Sequence, residues 1–377
     1  MKPAILLVGT AAAAAAAVDS VLARMASSYI QRPVRQSWGY DEATLYFGLQ
    51  ASLLHTQDEA VVAWLRNQID AVVLGDGSIK DFNHTYYSLD NYRIANNYLW
   101  WYERTGEDKF KIAADSIRAQ LNRHPRTPLG GFWHRQPNYP NQMWLDGIFM
   151  ADNFYAKWTS LFDADNTTAW DDIVGQYDLI DSRTHRLSSN LRVHGYDESK
   201  VAVWADDFDG RSPLVWSRAL GWYAVSLVDL LGDFPKTHPG YERLLGYFQS
   251  VGNGLKRSID DGGWWLVMDF PGRDRNYLES SASAMFTYAL LKGVRLGYLP
   301  ASYQATADKA FETLVDRWVT ENEDGTLNWE GTVEVGSLNS NASFEYYVSV
   351  PIQQNDHRGG GAFLLAAYEA EVRSKQD

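Results

Sequence analysis

The residues best suited to chemistry sit in a few short stretches. In Asn141 to Asp152, Asp146 follows Trp144 at the start of an apolar helical pattern. A carboxylic acid beside an indole is a natural proton donor, because burial disfavours its charged form and raises its pKa. The same spacing also describes a plain first-turn acid, which stabilises a helix start without doing chemistry. His134, in Gly130-Gly131-Phe132-Trp133-His134, and His194, in Val193-His194-Gly195-Tyr196-Asp197, lie in loops of mixed aromatic and polar character. Trp216, Arg218 and Trp222 span a helix entry, and a guanidinium between two indoles suits a sugar carrying a carboxylate. A packed tryptophan pair with an arginine capping nearby carbonyls would leave the same pattern. The small residues of Glu279-Ser280-Ser281-Ala282-Ser283-Ala284-Met285-Phe286 read as close helix packing.

Other chemistries find no support. No histidine pair has zinc-type helical spacing, and neither His-Glu-x-x-His nor Gly-x-Ser-x-Gly occurs. The sequence has no cysteine, which removes disulfides, thiol nucleophiles and thiolate metal sites together. Neither a metal nor a cofactor is implied.

The elements that position these residues are helices in pairs. Ile94, Asn97, Tyr98, Trp101 and Tyr102 share one helical face, which stops at Thr105-Gly106 before a new helix near Glu107-Asp108. Phe154, Trp158, Leu161 and Phe162 share another, broken at Asp163 to Asn166. A third face, Tyr223 to Leu231, breaks at Gly232-Asp233-Phe234-Pro235. A fourth helix, around Met285 to Val294, runs into Gly297-Tyr298-Leu299-Pro300, and Leu365, Tyr368 and Val372 mark a last one. Tyr98, Tyr155, Tyr223 and Tyr288 recur at intervals of 57 to 68 residues, which fits one helix pair and one long loop per unit. Gly- and Trp-rich loops lie between pairs, and no strand-helix alternation appears. Such pairs either stack open or close on themselves. Long loops that meet at one mouth favour closure, so the expected fold is all-α, an (α/α)6 barrel.

Composition agrees. Of 377 residues 45% are hydrophobic and 21% charged, which is globular and enough for a large core. A net charge of −13 opposes nucleic-acid binding, while a single placed arginine still attracts an acidic sugar at short range. Aromatics at 14% also suit sugar binding. Residues 1–23, with Lys2, an apolar run from Pro3 to Val18 and Val21-Leu22-Ala23 at the cleavage spacing, read as a signal peptide. Residues 24–377 then form a single secreted catalytic domain. No later segment is long and apolar enough to imply a membrane span. Asn83, Asn166 and Asn341 begin sequons that would accept glycans in a eukaryotic host. No feature of the chain fixes an oligomeric state.

Five motifs in order carry a resemblance. They are Trp144-Leu145-Asp146-Gly147, His194-Gly195-Tyr196-Asp197, Trp216-Ser217-Arg218 with Gly221-Trp222, Ser281 to Phe286, and Gly359-Gly360-Gly361-Ala362-Phe363-Leu364-Leu365-Ala366. The chain resembles the unsaturated glucuronyl and galacturonyl hydrolases of glycoside hydrolase families 88 and 105. It is more similar to family 105, the unsaturated rhamnogalacturonyl hydrolases, over Trp38 to Glu371. That resemblance implies an (α/α)6 barrel acting on an unsaturated acidic disaccharide or oligosaccharide made by a lyase. The C4=C5 vinyl ether is hydrated: an acid protonates C4, water adds at C5, and the hemiketal opens to release the neighbouring sugar. It also implies Asp146 as acid/base and Asp90, in Leu89-Asp90-Asn91, as a supporting or sugar-binding carboxylate. His134, Trp144, His194, Trp216, Arg218 and Trp222 match the uronate pocket. Arg218 would meet the carboxylate, and His194 the ring hydroxyls or the attacking water. Bacterial members often read Arg-Gly-Asn-Gly-Trp where this chain has Arg218-Ala219-Leu220-Gly221-Trp222, so any role of that asparagine is absent.

Three rival readings make different demands. An inverting glycosidase would pair Asp146 with Asp90 or Asp206, an epimerase would use His134 and His194 as paired bases, and a binding protein would need no acid.

Overall fold

The computed structural model describes residues 20–374. Its helices alternate between an inner and an outer ring. The inner ring consists of α2 (Tyr40–Thr56), α4 (Ala95–Thr105), α6 (Asn153–Phe162, preceded by Leu145–Gly147 and a π-helical stretch Ile148–Asp152), α8 (Ser217–Asp233), α10 (Ser280–Arg295) and α12 (His357–Ser374). The outer ring consists of α1 (Val21–Ile30), α3 (Glu59–Asp70), α5 (Asp108–Leu121), α7 (Thr167–Thr184), α9 (Tyr241–Ser258) and α11 (Gln304–Trp318). Each inner helix packs on the next, and α12 returns to α2 to close the ring. The all-α, (α/α)6 expectation is met.

Local sequence explains the hairpins. Gly106 ends α4 in the left-handed conformation at φ 70°, where a side chain would be strained, and α5 starts two residues on. Asn166 caps α7 by accepting from the Ala169 amide at 3.0 Å. Inner helices are apolar nearly all round. Every residue from Ser217 to Val228 in α8 is buried, whereas α9 buries only one stripe. The short antiparallel strand pairs all lie in loops that lead from an outer helix to the next inner one.

The first helix completes the last hairpin. α1 packs on α12, and Leu22 and Met25 are fully buried there. Residues 1–19 of the expected leader lie outside the described residues. Val21, Leu22 and Ala23 are the opening turn of α1, with Ser20 as N-cap accepting from the Ala23 amide at 3.1 Å.

Ring closure depends on the glycines of the last motif. A Cβ on Gly48 of α2 would stand 2.5 Å from the Gly361 carbonyl oxygen, and one on Gly361 would run into the Thr44 carbonyl. Backbone meets backbone at this seam, so neither helix has a side chain that could yield. Gly361→Ala is expected to cost roughly 1–3 kcal/mol, as overpacking does, and to lower the Tm. Gly246→Ala, at an exposed site on α9 with nothing within 4 Å of the added carbon, serves as control. It should leave the Tm unchanged or raise it. Equal melting of the two variants would remove the seam from the account of closure.

Candidate active site

The inner helices begin at one end of the barrel, and the long loops gather there. Asp146 sits in the opening turn of the α6 run, directly after the strand Gln142–Trp144. That strand pairs antiparallel with Gly195–Asp197 in the register Trp144↔Gly195, and the Leu145 amide donates to the His194 carbonyl at 2.9 Å. The pairing needs Gly195, whose Cβ would lie 2.6 Å from the Met143 carbonyl oxygen. It sets His194 beside Asp146, with Nε2 3.0 Å from Oδ2. The two atoms are in contact, at an angle that falls short of a hydrogen bond. On the other side of the ring His194 Nδ1 lies 2.8 Å from the Tyr347 hydroxyl. Both imidazole nitrogens are therefore engaged by protein. The structure adds to the expected role of His194 a place beside Asp146.

A second carboxylate stands across an aromatic stack. His134 lies flat on Trp144, with ring centres 4.0 Å apart at 13°, and its Nε2 is 3.6 Å from Asp90 Oδ1. Arg135, next in the chain, donates to Asp90 Oδ2. Gly147 permits this packing, since a Cβ there would be 2.7 Å from Leu89 Cδ1 and 3.3 Å from His134 Nδ1. Tyr139 tilts against Trp144 at 4.5 Å. The π-helical stretch after Asp146 is a widening of the backbone ladder that recurs at functional sites.

Arg218 is 1% exposed and already occupied, because its Nη2 donates to the carbonyls of Val333 and Glu334. Its Nε has no partner among the described residues. Buried Glu279 fixes the same loop from the other side by accepting from the Val333 amide at 3.0 Å and by capping α10 through Ser281 and Ala282. The serine-rich motif is thus a buried capping network as well as close packing. Trp216 lies over the guanidinium at 5.6 Å and stacks on Tyr347 at 5.7 Å and 15°. Trp222 is the exception. It stacks on Phe149 at 4.5 Å inside the barrel, so the two indoles do not clamp Arg218. Leu220, where an asparagine was noted missing, is fully buried.

Electrostatics correct one expectation outright. Burial pushes the Asp146 carboxyl up, but His194 beside it and His134 further off outweigh burial and hold it below the ordinary carboxylate value. In the free site Asp146 is a carboxylate, not the neutral acid that an indole neighbour suggested. Burial lowers the His134 pKa, against the pull of Asp90 and Asp146. Asp206, the alternative base, lies in an exposed loop and accepts from its own Phe208 and Asp209 amides. An epimerase would have to use a His194 that stands against both Asp146 and Tyr347.

Tyr347 and Arg135 are functional candidates that sequence reasoning passed over. Arg135 follows His134 and was open to notice, whereas the partner of Tyr347 is 153 residues away. Among the described residues, one group, Asp41, Glu42 and His357, has donors close enough for a cation, and Arg35 already holds Glu42.

Residues 14–374 match the family model Glycosyl Hydrolase Family 88. The chain belongs to the glycoside hydrolases of families 88 and 105. A family 105 glycoside hydrolase from C. acetobutylicum ATCC 824 is 34% identical, with a TM-score of 0.91 over 94% of this chain and 100% of the other. The unsaturated rhamnogalacturonyl hydrolase YesR of Bacillus subtilis is 24% identical over 94% of both chains. An unsaturated 3S-rhamnoglycuronyl hydrolase of Alteromonas sp. is 23% identical over 89% of this chain and 78% of its own length. The protein is accordingly an enzyme of the unsaturated uronyl hydrolase class.

The depressed Asp146 pKa yields a test. In His194→Gln the neighbouring imidazole is lost while burial remains, so the Asp146 carboxyl should titrate at a higher pH than in the wild type. The wild-type contribution to stability is present above the unfolded carboxyl pKa and is lost as pH falls through the lower folded value. Carboxyl carbon NMR across the acid range reads the change directly. An unmoved titration would mean that His194 does not set this group.

Proposed function

We propose that this chain is an unsaturated rhamnogalacturonyl hydrolase. It would hydrate the C4=C5 bond of a terminal unsaturated galacturonate in lyase-made pectin oligosaccharides and release rhamnose. The observation that carries the reading is that the two carboxylates of the aromatic mouth are held differently, Asp90 by Arg135 and Asp146 by a histidine that is itself held. Vinyl-ether hydration needs a single group that gives a proton and takes one back. A glycosidase displacing a saturated sugar needs two carboxyls with divided roles. The rhamnose preference draws its support from YesR, a rhamnogalacturonyl hydrolase similar along nearly its whole length.

The proposed steps are these. The carboxylate of the bound uronate places a second negative charge near Asp146, which disfavours the ionised form there and loads it with a proton. Asp146 gives that proton to C4, and positive charge develops at C5 and the ring oxygen. Asp146, now a carboxylate, takes a proton from water as the water oxygen bonds to C5. The resulting hemiketal opens and frees the neighbouring sugar. Asp90, with Arg135 and His134, is assigned to the sugar hydroxyls, and Trp144 and Trp216 to the ring faces. Arg218, buried beside Trp216, is assigned to the substrate carboxylate.

With unsaturated rhamnogalacturonan disaccharide, the enol-ether absorbance should decay as rhamnose appears, and Asp146→Asn should be at least ~10³-fold slower while binding substrate normally. An unsaturated chondroitin disaccharide should turn over more slowly. Steady absorbance on both sugars would overturn the hydration reading, and near-native Asp146→Asn would move the acid elsewhere.

A leader of residues 1–23 would remove the Ser20 cap of α1, so we also propose export with an earlier cut, after Ala17 within Ala15-Ala16-Ala17. N-terminal sequencing of the exported protein should then begin at Val18. A start at Arg24 would mean that α1 survives without its cap.

A further inference from the structure

The barrel has a second cavity, on the axis and toward the other end of the inner helices. It measures about 350 Å³ and is lined by α2, α4, α6, α8 and α10 together with Arg93 just before α4. Three of its side chains each keep a buried polar atom without a hydrogen-bond partner among the described residues. Arg93 is 2% exposed, and no carboxylate among the described residues pairs with it. Its guanidinium lies between two rings, 3.8 Å from the centre of Phe149 and 4.7 Å from that of Phe47. The rings cover its faces and leave its edge to the cavity. Gln50, 3% exposed, accepts from Asn97 through Oε1 and has no partner for Nε2. Asn153, 6% exposed, donates to the Ser226 carbonyl and has no partner for Oδ1.

Every other charge in the cavity is matched. Lys292 donates to Asp229 at 2.7 Å, and Lys157 stands 3.2 Å from Glu103 and 3.6 Å from Asp233. Arg93 alone lacks a contact ion, and burial lowers its pKa to about 10. A buried cation without a partner costs stability, and two aromatic faces return only part of that cost. A guanidinium presents its edge donors in a fork that fits a carboxylate. An amide donor, an amide acceptor, the carboxylates of Asp229 and Asp233 and the indole of Trp100 are what hydroxyls and a sugar ring require.

We infer that this cavity is a binding site for a small hydroxylated carboxylate of monosaccharide size, held by its carboxylate on the edge of Arg93 and by its hydroxyls on Asn153 and the acidic wall. The volume lies at the lower end of ligand pockets, which suits one sugar ring and not an oligosaccharide. The inference stands apart from the reaction at Asp146, because none of the polar groups invoked serves that mouth.

D-glucuronate is the probe, with D-glucose as the neutral comparison and an affinity of about 1 mM expected for a ligand of this size. Crystals of the full chain soaked in each sugar show where it sits. Glucuronate should occupy the cavity with its carboxylate on Arg93, and glucose should not. In Arg93→Met the cavity should stay empty, while the ligand-free Tm should equal or exceed that of the wild type, since an unpaired buried charge is gone. Should that variant fail to fold, Asn96→Trp fills the cavity from its wall and should abolish occupancy with turnover unchanged. An empty cavity while the Asp146 mouth takes up glucuronate would overturn this site and leave the proposed reaction intact. Equal occupancy by glucose, or a folded Arg93→Met that melts several degrees lower without ligand, would overturn it as well.

Discussion

The contact between His194 and Asp146 is the constraint around which the mouth is built. It exists because two loops, one leading into the α6 run and one leading toward α8, exchange a few strand hydrogen bonds and fix the register Trp144↔Gly195. It is held from behind by Tyr347, in a third loop, so three separate loops must be placed before one carboxylate is. The consequence is electrostatic. Burial alone would raise the pKa of this carboxyl, and His194 with His134 holds it below the ordinary value. In the proposed reaction the substrate triggers the protonation of Asp146, since its carboxylate brings a second negative charge there.

That arrangement makes the ring more than a scaffold. Inner helices that start at a common end direct their unsatisfied amide groups and positive dipole ends toward the mouth. The first and last of them meet through Gly48 and Gly361, so the positions of Tyr40 and Arg358 at their starts follow from that seam. Arg358 reaches the Tyr40 hydroxyl at 3.4 Å and pairs with Asp356, while Arg135 pairs with Asp90. Charges at the mouth are paired locally and the helix termini remain. A chain of net charge −13 can therefore receive an anionic sugar, because the field at contact distance comes from these termini and a few guanidinium edges.

Much of this was legible in the sequence. The helix hairpins were, because aromatic residues at 3.6-residue spacing mark inner helices and Thr105-Gly106 or Gly232 to Pro235 mark their ends. Asp146, His134, Trp144, His194 and Trp216 do converge, as their shared place before helix starts implied. The direction of the Asp146 shift was not legible, because the group that decides it lies in another loop and the nearest neighbour in sequence, Trp144, argues the opposite way. Tyr347 was invisible for the same reason. Trp222 misled because its spacing from Arg218 suits a clamp, but a residue six positions along a helix has turned and descended away from the entry. The leader's end was blurred because Val21-Leu22-Ala23 satisfies a cleavage pattern and an amphipathic helix start equally well.

The distribution of charge along the barrel axis separates its two ends. Helix C-termini favour cations, and Lys292 in the last turn of α10 obeys that rule beside Asp229. Arg93 obeys neither end's logic. It precedes α4, near the helix starts, yet its guanidinium is turned between Phe47 and Phe149 toward the far cavity. Phe149 also carries Trp222 on its ring, in the π-helical stretch just after Asp146. An aromatic pair, Phe149 and Trp222, thus lies between the run that carries Asp146 and the guanidinium of Arg93. Trp222 belongs to that pair, which is why it is buried against Phe149 and does not share Arg218 with Trp216.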